Sequence, residues 1–259
     1  MDFQARIREE FARQAETLSV ATAFTDADVL DRIRAAIGPT KTTEILDVGC
    51  GPGILVAALA EEVREVVAFD LTPEMLEKAQ QRCQKAGLRN VRFELGRAEA
   101  LPFPPEGFDA VVTRATLHHF PDPQRVVREM ARVVRPNGKL VLADVVSSED
   151  TEEADLHNAL EVLRDPTHVR MLSASQIRRL IEAADLRVTA TSSWEMSRDF
   201  EEWIRITNAP ERATPLLTIM LRLAKAGITA GIGLAVTGRT VVFKHRWLLI
   251  TAERNRQRS

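Results

Sequence analysis

Three groups of residues in this sequence have types and spacing that could do chemistry. The first is Asp47-Val48-Gly49-Cys50-Gly51-Pro52-Gly53 together with Asp70, 21 residues beyond Gly49. Alternating glycines permit φ > 0 and let a ligand approach the main chain without meeting a Cβ. A carboxylate at Asp70 suits the two hydroxyls of a ribose. Asp47 closes an otherwise apolar run, where a carboxylate is costly unless it is hydrogen-bonded or faces a ligand. The second group is His118-His119, imidazoles that titrate near neutrality and can take a proton. The third is His168 and Arg170 in DPTHVR, a pair that either orients a polar group of a substrate or bonds the backbone of its own loop.

Glycine spacing narrows the ribose-bearing ligand. A dinucleotide fingerprint needs Gly or Ala three residues after its second glycine, and that position is Ile54. A phosphate-cradling loop needs Gly-Lys-Ser/Thr, and no lysine lies between Thr42 and Glu77. Both nicotinamide dinucleotides and nucleoside triphosphates are therefore disfavoured.

The elements that must position these groups follow from hydrophobic period and punctuation. Ile45 to Val48 reads as a strand, Ile54 to Val63 as an amphipathic helix, and Val66 to Phe69 as a second strand ending on Asp70. Thr72 can cap a helix over Glu74 to Ala86 with Pro73 in its first turn. A third strand, Val91 to Leu95, alternates in period two. Phe108 to Arg114 is the fourth, and the helix Asp122 to Val134 closes on Arg135-Pro136-Asn137-Gly138 before a fifth strand, Lys139 to Val146. Ligands of such open sheets sit at the carboxyl ends of strands, which places Arg114 and the histidines after it beside the ligand. Ahead of the sheet, Met1 to Gly38 should be helical, with Phe3, Ile7, Phe11 and Leu18 near one face and Asp26 opening a second helix. Behind it come a helix over Thr151 to Leu163, a helix Ile177 to Ala184 capped by the S-x-x-Q pattern of Ser173 and Gln176, and a sixth strand, Leu186 to Trp194. A mainly helical insertion with Trp203, Ile204 and Met220 precedes the last strand, Thr240 to Ala252.

The form D-x-G-x-G-x-G after an apolar strand, with an acid ending the next strand, resembles the S-adenosylmethionine (SAM) site of class I methyltransferases. The segment GRAEALPFPPEGFDAVV resembles the G-D-A-x-x-L-P-F…F-D-x-V region of the ubiquinone/menaquinone-biosynthesis branch of that family. The resemblance covers roughly Ile45 to Val146. It implies an α/β fold with a Rossmann-like, seven-stranded, mostly parallel sheet and helices on both faces. To this the chain adds N-terminal helices and the helical insertion before the last strand. Residues 1–259 then form one domain: a helical cap (1–42), a SAM-binding core (43–146), lid elements with the sixth strand (147–239), and the last strand and tail (240–259).

The cofactor so implied is SAM, leaving S-adenosylhomocysteine (SAH) as product. Its contacts would be Asp47, Gly49, Cys50, Gly51, Gly53, Asp70, Leu71 and Arg114, with Ala98 and Glu99 on the adenine. Phe11, Gln14 and Ala15 would lie on a leading helix that either folds over the pocket or packs beside the domain. Arg97 departs from the pattern, because the family usually has an Asp there that accepts from the adenine amino group, and a guanidinium accepts nothing. Methyl transfer from a sulfonium depends chiefly on alignment, worth roughly 7–11 kcal/mol, whereas a general base adds roughly 10²–10⁴ in rate. His118 and His119 are thus either the proton acceptor or the shapers of the loop, with only one of them expected to reach the cavity.

Charge limits the acceptor. With 35 basic and 37 acidic residues and an isoelectric point near 6.3, a polyanion partner has no electrostatic basis. A small, apolar or aromatic acceptor fits better than RNA or protein, and a SAM-binding protein without catalysis would be expected to have lost the glycines or Asp70. Cys50 and Cys83 form no zinc or disulfide pattern, and a metal site from His118, His119, His168 and Asp144 has no characteristic spacing, so no metal is expected. MDFQARIREEF lacks a signal-peptide run, and Ala213 to Val236 is interrupted by Arg222 and Lys225, so the chain reads as cytoplasmic with no transmembrane segment.

Overall fold

A computed structural model describes residues 3–254; the side chain of Phe3 and residues 255–259 of the basic tail ERNRQRS lie outside the described residues. Three helices come first: α1 (Phe3–Val20), α2 (Thr22–Thr25) and α3 (Ala27–Ile37). Asp26 caps α3 by accepting from the N–H groups of Asp28 and Val29, and Gly38 ends it at φ 64°, the left-handed closure that glycine takes most readily.

The strands and helices then alternate: β1 (Glu44–Val48), α4 (Ile54–Ala60), β2 (Glu65–Asp70), α5 (Pro73–Lys85), β3 (Val91–Leu95), β4 (Phe108–Arg114), α6 (Pro123–Val133) and β5 (Val134–Val146). After these come α7 (Thr151–Arg164), α8 (Ala174–Glu182), β6 (Leu186–Asp199), α9 (Phe200–Ile206), α10 (Ala213–Lys225), β7 (Ala235–Thr237) and β8 (Thr240–Arg254). The sheet runs β3-β2-β1-β4-β5-β8-β6, with the three-residue β7 paired to β8 off that path. β8 is antiparallel to both β5 and β6, while β1 to β5 pair in parallel.

Seven strands in a mostly parallel sheet are as expected, with β7 as an addition. Strand order reverses between β1 and β4, and the carboxyl ends of those two strands define the crevice of an open sheet. Being covered on both faces, β1 is apolar apart from Asp47 and its first residue, Glu44, and Ile45, Leu46 and Val48 are all fully buried. One face packs on α6 and α8 through Val126, Met130 and Ile181, and the other on α3, α4 and α5 through Ile33, Leu59 and Cys83. A third core lies under the insertion, where Trp203 sits edge-on to Phe243 at 5.1 Å.

Several boundaries differ from the sequence expectation. β5 begins at Val134, which pairs with Phe108 before a register shift, so Arg135 to Gly138 form an irregular part of the strand with Asn137 at φ 64°. β6 continues to Asp199, five residues past Trp194, because β8 pairs with it along its whole length. Thr72 stands at the N-cap of α5 without a side-chain cap bond; its N–H instead donates to Asp70 Oδ1 at 2.9 Å. The Ser173 capping box is formed from both sides. Among the described residues no helix is long and apolar enough to cross a membrane.

Candidate functional site

The turn from β1 to α4 gives each glycine a separate task. A Cβ on Gly53 (φ 73°) would stand 2.6 Å from Ala79 Cβ, so this glycine lets α4 approach α5. A Cβ on Gly49 (φ 71°) would meet Thr116 Cγ2 at 2.4 Å, locking the turn against the loop after β4. A Cβ on Gly51 (φ 52°) would meet nothing within 4 Å, because that glycine borders the cavity. The N–H groups of the turn are not left for a ligand, as the sequence suggested. Gly49 and Cys50 donate to Phe69 O at 2.8 and 3.1 Å, Gly53 to Cys50 O at 3.2 Å, and Gly51 to Asp70 Oδ2 at 2.8 Å. Pro52 has none, so the turn is no phosphate cradle.

Asp70 is thereby oriented at both oxygens, and each retains a lone pair for a further donor. Burial raises its pKa, while the N–H groups of Thr72 and Gly51 oppose that rise. Asp47 is 1% exposed and its Oδ2 has no partner. Burial and the nearby charge of Asp70 push its pKa up to about 7, against the pull of Arg114. Arg114 donates to Phe24 O at 2.6 Å and leaves Nε unpartnered, and burial lowers its pKa to about 10 although Asp47 favours its charge. An unpaired carboxylate oxygen and an unpaired guanidinium nitrogen therefore flank one end of the crevice, a pattern that suits a zwitterionic ligand.

All of the expected cofactor residues except Gly53 line one continuous cavity: Phe11, Gln14, Asp47, Gly49, Cys50, Gly51, Asp70, Leu71, Ala98, Glu99 and Arg114. Arg97 does not; its side chain is 57% exposed and lies 3.9 Å from Glu99. Ala15 is buried behind the cavity wall. The leading helix α1 borders the cavity through Ile7, Phe11, Gln14 and Leu18; Arg82 of α5 donates to Ser19 O at 2.8 Å, and Thr17 donates to Ile206 O of α9 at 2.7 Å.

His118 and His119 lie on a single 3-10 turn, Leu117–His119, and both border the cavity, so the expectation that only one would reach it is corrected. Their surroundings differ instead. His118 Nδ1 is 2.7 Å from Asp144 Oδ1, and Asp144 also accepts the N–H groups of Leu117, Val145 and Thr116. Burial disfavours the imidazolium of His118, but the charge and hydrogen bond of Asp144 prevail and raise its pKa. Burial and the adjacent His118 lower His119 to about 4; it packs edge-on against Phe11 at 4.9 Å and faces Thr167.

His168 also lines the cavity, with Nε2 2.8 Å from Asn158 Oδ1, and burial lowers its pKa to about 3. Arg170 does not share the site: it is 46% exposed and pairs with Asp155 at 2.8 Å.

The sequence reading missed the far wall. Helix α7 and its C-cap turn a polar face inward, with His157, Glu161 and the capping Asp165 buried at i, i+4 and i+8 and Asn158 buried next to His157. That run of polar residues in a helix with no clean apolar stripe was the available signal. Glu161 Oε2 meets Arg164 Nε at 3.0 Å, while Oε1 accepts Trp203 Nε1–H at 3.1 Å. Burial opposes its charge, yet Arg164 and the imidazoles of His157 and His245 hold its pKa well below the usual range. His157, Glu161 and His245 bring ligand atoms within 4.8 Å of one another, a donor set that differs from the one weighed from sequence. Arg164 already neutralises the one carboxylate of that set, and Arg198 adds a second guanidinium to the same wall, so its charge balance disfavours a dication.

Comparison with known proteins agrees with this geometry. Residues 39–200 match a family model described as a methyltransferase domain. Over 209 residues, 80% of this chain and 83% of the relative, the chain is 33% identical to YcgJ of Bacillus subtilis strain 168, a methyltransferase that is itself uncharacterised. The crystal structure of YcgJ superposes with a TM-score of 0.83 at 30% identity, covering 89% of this chain and 99% of that one. The chain is also 35% identical over 154 residues to 27-O-demethylrifamycin SV methyltransferase of Amycolatopsis mediterranei, covering 58% of this chain and 55% of that protein.

Proposed function

This chain belongs to the class I SAM-dependent methyltransferases, and on that premise we propose that it methylates a protonated heteroatom, such as a hydroxyl, of a small and largely apolar acceptor. SAM supplies an electrophilic methyl on a sulfonium when bound. The residues present fit it: Asp70 keeps a lone pair on each oxygen for ribose hydroxyls, the space beside Gly51 is open, and the unpaired atoms of Asp47 and Arg114 match the ammonium and carboxylate of its amino-acid end. Leu71, Ala98 and Glu99 would border the base, with Phe11 and Gln14 as cover.

The observation that carries the acceptor reading is the bond from His118 to Asp144 at the cavity wall. An ionised Asp144 accepts a hydrogen bond from Nδ1–H, which leaves Nε2 as the basic nitrogen. Such a ring can take the acceptor proton as the new bond to carbon forms, a contribution of roughly 10²–10⁴ in rate. His119, depressed to about 4 and packed on Phe11, holds the turn in place and stays neutral. The cavity beyond combines apolar walls, Leu18, Phe24, Met171, Ile206 and Trp247, with the polar wall of Glu161, Arg164, Arg198 and His245, which favours a small acceptor over a polymer. A relative named for methylating 27-O-demethylrifamycin SV lends support to oxygen as the target.

The test is SAH release from SAM with phenols, aliphatic alcohols and hydroxy acids, set against RNA and peptide mixtures. Turnover confined to the polymers would refute the proposal.

A further inference from the structure

At the wall formed by β6 and β8, Arg198 is a buried cation whose nearest acid, Glu202, stands beyond hydrogen-bond distance. Trp194, Met196 and Arg198 share one face of β6 by its two-residue period, and the register sets Met196 opposite His245 and Arg198 opposite Phe243. The Arg198 side chain is only 5% exposed, yet no carboxylate reaches it at hydrogen-bond distance. Its nearest acid, Glu202, stands 4.0 Å away, and the other oxygen of that acid is held by the hydroxyl of Thr22. Apart from that, Arg198 touches the thioether of Met196 at 3.8 Å, and its Nε has no partner. Arg164 on the same wall is different, because Glu161 meets it at 3.0 Å. The far end of the cavity therefore carries one cation that nothing nearby neutralises at close range.

A buried guanidinium is costly unless it is paired and hydrogen-bonded. Arg198 borders the cavity, and the charges that act on it, Glu202, Arg164, Glu161 and Asp199, include none at hydrogen-bond distance from it. We propose that Arg198 anchors a carboxylate carried by the methyl acceptor, at the end of the cavity away from Gly51. This rests on the methyltransferase reading above and names the acceptor class within it: a small apolar acid with a methylatable group. One unneutralised cation matches a monoanion, and the planar fork of arginine matches two carboxylate oxygens. A phosphate dianion would need a second cation, and the nearest, Arg164, is already committed to Glu161.

The experiment is calorimetric titration of the full chain saturated with SAH, using the matched pairs benzoate and benzamide, cinnamate and cinnamamide, and octanoate and octanamide. In at least one pair the acid should bind about tenfold or more tightly than its amide, and Arg198→Met should erase that preference while changing SAH affinity less than about twofold. Arg198→Lys should keep part of it. Without ligand, Arg198→Met should melt no lower than the parent protein, since the charge it removes has no close partner.

Equal affinities within every pair, no acid binding below about 10 mM, or a preference that survives in Arg198→Met would overturn the proposal. So would a fall in melting temperature of more than about 4 °C in the ligand-free variant, which would make Arg198 structural. Failure of the parent protein to bind SAH would instead count against the methyltransferase reading itself, and is seen before any acid is added.

Discussion

The His118 imidazole and the Asp144 carboxylate, from the turn after β4 and from the neighbouring β5, meet at 2.7 Å with Asp144 2% exposed. Asp144 accepts three main-chain N–H groups besides, so it cannot swing away and the ring is held in one tautomer.

Turnover should therefore depend on pH in a defined direction. A base works when neutral, and the pKa of His118 is raised, so the maximal rate should climb with pH through an apparent pKa above the ordinary ~6.5. His118→Ala should lower the maximal rate about 10²-fold or more with SAH affinity intact. Asp144→Asn should lower it as well and move the rising limb to lower pH. A His118→Ala loss confined to KM would mean that the ring only shapes the acceptor pocket.

Two glycines of one turn should fail in different ways. Gly53→Ala drives a Cβ to 2.8 Å from the backbone of Ala79 and should cost fold stability, by about 2 kcal/mol or more. Gly51→Ala meets nothing but the cavity; its positive φ costs about 1 kcal/mol, and the methyl intrudes where the ligand lies. Melting temperature and SAH titration, measured on both, should separate a fold defect at Gly53 from a binding defect at Gly51.

SAM binding should be linked to protons through Asp47. Its carboxyl is raised to about 7 by burial and by Asp70, and pairing with an ammonium requires the ionised form. Below that value each SAM bound should release a proton, and affinity should rise with pH by up to about tenfold per unit before levelling. Asp47→Asn should flatten the profile. Calorimetry from pH 5.5 to 8 reads this directly, and a level profile in the parent protein would refute the pairing.

Acid should unfold the chain through its buried histidines. His119 and His245 are lowered to about 4 and His168 to about 3, in each case mainly by burial. An unfolded histidine takes up its proton near ~6.5, so stability is fully present above that pH and falls as pH drops toward 4. Each group contributes up to ~1.4 kcal/mol per pH unit. Asp47, whose pKa is raised, acts in the opposite sense over part of this range and reduces the net slope. His168→Gln should make the decline shallower, as followed by urea unfolding at pH 7, 6 and 5. An unchanged slope would place the acid sensitivity elsewhere.

What the sequence made legible was whatever depends on backbone or on local periodicity. The β1 turn could be read because φ > 0 at Gly49, Gly51 and Gly53 leaves a compositional trace, and the Ser173 to Gln176 box because capping acts over three residues. Side-chain direction in irregular segments left no such trace. His168 and Arg170 were inseparable in sequence, yet one faces the cavity and the other Asp155. Arg198 was hidden for a related reason: it belongs to a strand that continues past Trp194 only because β8, more than forty positions later, supplies the hydrogen bonds. Asp144 was noticed only as a conceivable metal ligand, since its partnership with His118 depends on β4 and β5 lying side by side.

Helix α1 holds α5 on the cofactor side through Arg82 and Ser19, and α9 on the acceptor side through Thr17 and Ile206. One helix is therefore tied to elements on both sides of the single cavity it helps to line. Spent cofactor and methylated product should leave in a single opening event, so the dissociation rates of the two should match within about threefold and be accelerated together by Thr17→Val. Turnover would then be expected to follow the lifting of one helix more than the transfer of a methyl.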